Sequence, residues 1–325
     1  MPIVCGSSIS IMKRETTEFD RPLYGRYGTM LEVGPLSFSD CAMFHPGMDP
    51  KDLVRLYLTV GGVPRYHLDT SVKTYREYVE RRLLLDTADL ADDALSPISA
   101  GFAPRDRHLA VINAITDGAA SVNAIKERTG LERTTCKRCL DSLESIGMID
   151  RRKPMFGSLK GESYRICEPV VAFCRTVVRE SRAYPLTSPS KRYDAVTVEL
   201  DALMGVMFER LCAEYVVATR DCVDIGGWWR NIGGESHRAN IATTVLENGV
   251  NVSLLGNCRF SDRPAGMGAF NELMHDSESV DTDTTRRYIL FSASGFSEDL
   301  RDLEYEGRVE LVDLGTLTSD WMTID

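Results

Sequence analysis

The stretch that most constrains this 325-residue chain runs from Arg105 to Ile166. Apolar Leu109, Ile112 and Ile115 recur at helical spacing over residues 107–116, and Asp117-Gly118 stops the run. A short helix follows from Ser121, with Val122 and Ile125 inward, and ends at Thr129-Gly130. A third begins near Glu132, carries Cys136, Leu140 and Leu143 as its buried stripe, and ends at Gly147. Met148 to Arg152, a Gly-containing loop and Ser163-Tyr164-Arg165-Ile166 then read as two short paired strands. Three helices and a two-stranded ribbon make a winged helix-turn-helix.

Charge sharpens this reading. The whole chain carries a formal charge of -10, which excludes a uniformly basic nucleic-acid binder but not a basic patch. Residues 105–166 hold 12 basic and 8 acidic residues, a net of +4. From Ala195 onward there are 10 Arg, no Lys and 23 acids, a net of -13. On the third helix, Arg133, Thr134, Lys137 and Arg138 fall away from the buried stripe, and the wing adds Arg151, Arg152, Lys153 and Lys160. A groove-reading helix with a phosphate-touching wing needs this arrangement. Such modules also serve as protein–protein spacers, and Glu132, Asp141 and Glu144 on the same helix weaken the DNA case.

The chain lacks an N-terminal basic and apolar signal sequence and any apolar run of the ~18 residues needed to cross a bilayer. Nine scattered cysteines form no disulfide framework, so a reduced, cytoplasmic protein is expected. Cys136-x-x-Cys139 has half the ligands of a zinc site, and its spacing equally puts two small apolar residues on one helical face; the core reading is preferred.

Around this module the chain divides into further units. Residues 1–40 offer two short strands, Ile3-Val4-Cys5 and Met30-Leu31-Glu32-Val33, too little for an independent domain. Residues 41–104 read as helical, with Leu53, Leu56, Tyr57 and Val60 on one helix, closed by Gly61-Gly62-Val63-Pro64, and Tyr75, Tyr78, Val79 and Leu83 on another; Ser96 to Pro104 suits a linker. Residues 167–194 suit a helical connector. Residues 195–325 read as an α/β domain, with a helix bearing Leu200, Leu203, Met207, Phe208 and Leu211 and strands at 241–245, 250–255, 287–291 and 309–312.

Several local patterns, in order, carry a resemblance. They are Cys5-Gly6-Ser7-Ser8 with Ser10 and Met12, Pro22-Leu23-Tyr24-Gly25-Arg26, Gly61-Gly62-Val63-Pro64, Phe208-Glu209, Gly226-Gly227-Trp228-Trp229 and Phe291-Ser292-Ala293-Ser294-Gly295-Phe296. Together they resemble the C-terminal two-thirds of archaeal-type P-loop ATPases, of the AAA+/STAND-like kind, that end in a restriction-endonuclease-like domain. The resemblance implies a multidomain chain: a partial ATPase core (1–40), a helical lid, the winged helix and a nuclease-like α/β domain. The full-length family uses ATP and Mg²⁺.

The departures from that family decide the expected function. No Gly-Lys dipeptide occurs, so the G-x-x-x-x-G-K-[ST] phosphate loop is absent, and no cofactor is expected for this chain alone. Ser7, Ser8 and Arg26 are at most a nucleotide-proximal remnant, and Ser7-Ser8 serves equally well as a turn. Where the resembling nucleases place metal-binding carboxylates and a lysine, this chain has Asn240, Asn257 and Arg259. Neutral amides are weaker ligands, and Arg keeps its proton. No catalytic or metal-ligating residue is therefore assigned. Glu209 and Asp224 are expected at the surface or as helix caps, His237 as a solvated loop residue, and Trp228-Trp229 as core rather than base-stacking residues.

The leading expectation is a non-catalytic, DNA-binding regulatory protein whose inactive nuclease-like domain docks a protein partner through its acidic surface. Two alternatives stay open: the distal part of an ATPase whose phosphate-loop half is missing or supplied separately, and an interaction module without DNA affinity. The oligomeric state is not legible in the sequence.

Overall fold

A computed structural model of the chain describes residues 3–6, 12, 15–26, 28–31, 33–85, 90, 105–157, 161–184 and 188–324. Ser7, Ser8, Lys160 and the Ser96–Pro104 linker lie outside the described residues. The strands expected at Ile3-Val4-Cys5 and Met30 to Val33 are not formed among the described residues. Ile3, Leu31 and Val33 are more than four-fifths exposed. A lone extended segment leaves its backbone groups to water unless a neighbouring strand takes them, and the strand pairings of the structure include neither segment.

Met12 and residues 15–17 are helical; the first helix with both ends described is α1 (Phe38–Ala42), whose Ser37 and Asp40 form a capping box. Helix α2 (Pro50–Val60) starts with Asp49 accepting the Lys51 N–H, and α3 (Tyr75–Arg82) with Thr74 accepting that of Glu77. The expected stripes are buried, apart from a half-buried Tyr57. At the end of α2, Gly61 has φ +65°, and a Cβ at Gly62 would stand 2.1 Å from the Leu36 carbonyl oxygen, so only glycine fits. His67 donates through Nε2 to the Gly61 oxygen at 2.7 Å, and His45 Nε2 approaches His67 Nδ1 at 3.2 Å; both rings are buried.

The next unit has the geometry of a winged helix. Helix α4 (Arg105–Thr116), α5 (Val122–Thr129) and α6 (Arg133–Ser145) pack against one another, followed by the antiparallel ribbon β1 (Ile149–Arg152) and β2 (Ser163–Ile166). The glycine punctuation acts as the sequence suggests: Ser121 caps α5 by accepting the Ala124 N–H, and Gly130 closes it at φ +68°. Cys136 and Cys139 are both buried on the inner face of α6, in the apolar core.

Helix α7 (Pro169–Phe173) continues through a π-turn at Cys174–Val178 to Arg179–Ser181, and α8 (Pro189–Ala195) leads into the 23-residue α9 (Thr197–Thr219). A five-stranded mixed sheet follows, with its strands in sequence order. Strands β3 (Cys222–Ile232), β4 (Glu235–Glu247) and β5 (Val250–Arg259) form an antiparallel meander. Helix α10 (Met267–Ser277) and α11 (Glu298–Tyr305) connect β5 to β6 (Arg286–Ser292) and β6 to β7 (Glu310–Asp313), both pairs parallel. Helix α12 (Leu314–Ile324) ends the fold. Helices α9 and α12 contribute to the core on one face of the sheet, α10 and α11 to a separate core on the other.

The first core is continuous from Phe38 to Trp321 and includes the winged helix. Phe38 meets Trp321 at 5.7 Å and Tyr57 at 5.6 Å between ring centroids. The N-terminal helices thus bury their apolar side against the end of the chain. Strand β3 was not anticipated because its two bulges and the Gly226-Gly227 pair break the alternation of a strand. Observed β4 and β5 both extend beyond the expected 241–245 and 250–255.

Candidate functional site

Two surfaces bear on function: the outer face of α6, and a polar pocket between α9, β4 and β5. On α6, Arg133, Thr134, Lys137 and Arg138 are all exposed, while Cys136, Cys139, Leu140 and Leu143 face inward. Arg133 Nη1 donates to Asn123 Oδ1 at 2.9 Å, which steadies it against α5. Lys137 and Arg138 make no side-chain ion pair among the described residues. Four side chains from the first two turns of α6 therefore present three positive charges and a hydroxyl to solvent.

The wing arginines, expected to touch phosphate, are engaged within the protein. Arg151 forms ion pairs with Asp141 and, at 2.7 Å, with Glu144, and lies over the Tyr164 ring at 5.6 Å. Two of the three acids that the sequence set against DNA binding thus share the one charge of Arg151. Arg152 turns the other way, towards the sheet. Its side chain is only 20% exposed, 4.0 Å from Glu209 Oε2 and 5.6 Å over the Trp229 ring. Of the described wing residues in the expected DNA set, Lys153 alone is exposed.

Arg152 reaches a pocket that holds Asn240 and Asn257. Asn240 Nδ2 donates to Glu209 Oε1 at 2.6 Å, and Asn240 Oδ1 accepts the Cys258 N–H at 3.1 Å. Asn257 Oδ1 accepts the Asn240 N–H at 3.2 Å. Between Gly226↔Ala242 and Trp228↔Ala239, two steps on β3 match three on β4, so a bulge sits at Asn240 and aims it at α9. An amide suits this place because it donates to Glu209 and accepts from the backbone at once. A carboxylate there would repel Glu209 unless a cation lay between them.

Glu209 is therefore neither a surface acid nor a cap. Burial raises its pKa, opposed by Arg152, Arg238 and Arg165. Burial likewise lowers that of Arg152, Arg165 adds to the effect, and Glu209 and Asp150 oppose it. Asp224 stays exposed, as expected. Arg259, which the resemblance puts in the place of a lysine, does not enter the pocket: it pairs with Glu272 of α10 at 2.7 Å. The cation beside the amides comes instead from the wing, 107 residues earlier in the chain. The glycine pair before the tryptophans makes room for it. A Cβ at Gly227 would meet Arg152 Nη2 at 2.6 Å, one at Gly226 would meet Met155 at 3.0 Å, and the Met155 N–H donates to the Gly227 oxygen at 2.9 Å. Trp228 is core, as expected, but Trp229 is the platform under Arg152.

His237 departs from the expectation of a solvated loop residue. It lies on β4, is 7% exposed, and its Nδ1 is 2.9 Å from Asp276 Oδ1. Sequence reasoning missed His275 and Asp276, because nothing in the chain order announces that the end of α10 returns to the β3–β4 turn. Arg26 sits at an exposed turn, its N–H bonded to the Leu23 oxygen at 3.1 Å.

No family model matches the chain. It is 23% identical over 240 residues to an uncharacterised protein of Methanocaldococcus jannaschii, covering 70% of this chain and 53% of the relative. The chain thus spans about half the length of the curated relative it matches. Among solved structures, it is similar to a homodimeric winged helix-turn-helix DNA-binding domain from Mycobacterium bovis, at 24% identity and a TM-score of 0.23, over 31% of this chain and 90% of that one. A protein from Vibrio cholerae aligns over 93% of this chain and 66% of its own length, at 10% identity and a TM-score of 0.28. Scores this low leave the functional reading to the residues. Among the described residues, no helix is long and apolar enough to cross a membrane.

Proposed function

We propose that this protein binds duplex DNA through the outer face of α6 and acts as a non-catalytic regulator. The observation that carries the reading is the set Arg133, Thr134, Lys137 and Arg138, all exposed on one face of a helix whose other face is buried. Phosphate contacts give affinity and register, and groove-facing side chains give sequence discrimination. Lys153, exposed on the wing, extends the basic surface. Arg151 and Arg152 are left out of the interface on this reading, because their charges are already paired.

The α/β unit is read as a nuclease-like fold without nuclease chemistry. The order of helix, antiparallel meander, crossover helix and parallel strand supports the likeness. Asn240 and Asn257 in place of carboxylates support the loss of activity, since two neutral amides leave a divalent cation without the negative charge it requires. The acidic surface of this unit repels phosphate and is assigned to a protein partner. The reading requires no bound nucleotide.

Titration against duplex DNA tests it. With Arg133, Lys137, Arg138 and Lys153 on phosphates, log K should fall with log salt at a slope of about -4. The double variant Lys137→Glu, Arg138→Glu should lose about two units of that slope and at least about tenfold in affinity. Its circular dichroism should be unchanged. A flat salt dependence, or a folded double variant that binds as well as the parent, overturns the DNA reading.

A further inference from the structure

On the sheet face opposite the Glu209 pocket, three side chains converge for which the DNA reading has no use. Glu235 and His237 sit two residues apart on β4, just after the Gly233-Gly234 turn, and so point to the same side of the strand. His275 comes from the last turn of α10, which packs against β4. One ligand-capable atom from each lies within 4.8 Å of the others. The two imidazole centroids are 5.3 Å apart.

A buried histidine hydrogen-bonded to an aspartate is by itself an ordinary core pair. The arrangement around this one goes further. An ionised carboxylate can only accept, so His237 donates through Nδ1–H to Asp276 Oδ1 at 2.9 Å, and its lone pair is placed on Nε2. Asp276, itself 8% exposed, is fixed in turn by the Arg238 N–H, which donates to Oδ2 at 3.1 Å. Among the described residues, neither His237 Nε2 nor the Glu235 carboxylate has a hydrogen-bond partner. A carboxylate that holds one ring nitrogen so that the other faces outward is the usual support of a metal-ligating histidine.

We infer that Glu235, His237 and His275 form a binding site for a zinc-class divalent transition metal, with Asp276 as the residue that orients His237. Two imidazoles and one carboxylate are a borderline nitrogen and oxygen donor set. It suits Zn²⁺, Co²⁺ or Ni²⁺ and not Mg²⁺ or Ca²⁺, which require oxygen ligands. Donors 2.0–2.1 Å from a tetrahedral ion stand about 3.3 Å apart, so no pair of the three atoms must close by more than roughly 1.5 Å. Glu235 and His275 are both exposed and can swing inward, while His237 is held. Three protein ligands leave the fourth position for water or an external group. The bound ion would tie the β3–β4 turn to the end of α10. The inference is independent of DNA binding and of the Glu209 pocket.

The test uses the full chain, stripped with chelator and titrated with Zn²⁺ by calorimetry and with Co²⁺ by visible absorption. One equivalent should bind, with Co²⁺ bands of tetrahedral nitrogen and oxygen ligation and without thiolate charge transfer. His275→Ala should abolish binding; because His275 is exposed, that variant should still fold. Asp276→Asn should weaken binding about 10–100-fold through the ligand it orients. His237→Ala should also abolish binding, and Mg²⁺ should not compete. Failure to bind Zn²⁺, binding that survives His275→Ala, or binding that disappears only when thiols are blocked overturns the site.

Discussion

Helix α6 and the wing carry the same kind of charge and use it in opposite ways. On α6, Lys137 and Arg138 face solvent, with Arg133 beside them. On the wing, Arg151 is clamped by Asp141 and Glu144, and Arg152 is folded against Glu209 and Trp229. A count of net charge treats these residues alike. The structure separates them by what lies behind each: α6 stands free on its outer side, whereas β1 and the turn after it pack against β3. The unpaired positive charge is thus concentrated on one helix, and the wing joins the winged helix to the α/β unit.

The most damaging way to break this contrast is at the acid rather than the base. Glu209→Ala leaves Arg152 in a largely buried place without a counter-charge and removes the acceptor of Asn240 Nδ2. The loss should be about 3 kcal/mol by urea denaturation. Arg152→Ala, which removes the charge and its stacking on Trp229, should cost about 2 kcal/mol. If both arginine classes served DNA, Arg152→Ala would also lower the salt dependence of binding. On the present contrast the slope stays at its parental value, whereas the reversal at Lys137 and Arg138 changes the slope and leaves stability within about 0.5 kcal/mol. A reduced slope in Arg152→Ala would place the wing in the DNA interface after all.

How much of this was legible in the sequence follows from the range of the interactions. Local signals read well: Ser121 and Gly130 at the ends of α5, Gly147 after α6, and the apolar stripes of α2, α3, α6 and α9 each lie within one or two turns of the residues they organise. What could not be read is pairing between distant segments. Arg152 meets Glu209, Phe38 meets Trp321 and His237 meets Asp276 because three elements fold back on others, and no periodicity encodes that. Arg259 shows the same limit from the other side. The resemblance puts it in the place of a lysine, yet its forked side chain finds Glu272 on α10. The exposed Ile3, Leu31 and Val33 had the composition of strands and lacked the neighbours that would make them so.

A smaller effect tests the fit of the wing on β3. Gly227→Ala brings a methyl group to 2.6 Å from Arg152 Nη2 and 3.2 Å from the Ala239 oxygen. The guanidinium can move and the strand cannot, so the cost should be about 1 kcal/mol and should fall on the wing. Hydrogen exchange should show faster opening at Met155, whose N–H bonds the Gly227 oxygen, and unchanged protection in α6. In the Arg152→Ala background the same change should be nearly neutral, because the group it strikes is gone.

The finest test of the contrast is pH, because the wing contact holds Glu209, whose pKa burial raises, whereas Arg133, Thr134, Lys137 and Arg138 on α6 keep their charge state from pH 4 to 7. Burial raises the folded pKa of Glu209 above its ordinary 4.5, so its contribution to stability is full below that pH and falls as pH rises through the folded value. Glu209→Gln keeps a partner for Asn240 and does not titrate. Its stability relative to the parent should therefore improve as pH is raised from 4 towards neutrality. The comparison must be a difference, because the buried His45–His67 pair imposes the opposite slope on both proteins. Burial, with His67 beside it, pushes His45 from 6.5 to about 4, so the folded form resists protons that the unfolded chain accepts. Its contribution is full above about 6.5 and falls as pH drops towards 4, which should lower the melting temperature of parent and variant alike. Subtracting the two curves leaves Glu209 alone. A difference that stays flat from pH 4 to 7 would mean that the Glu209 carboxylate is fully solvated and that the wing does not cover it.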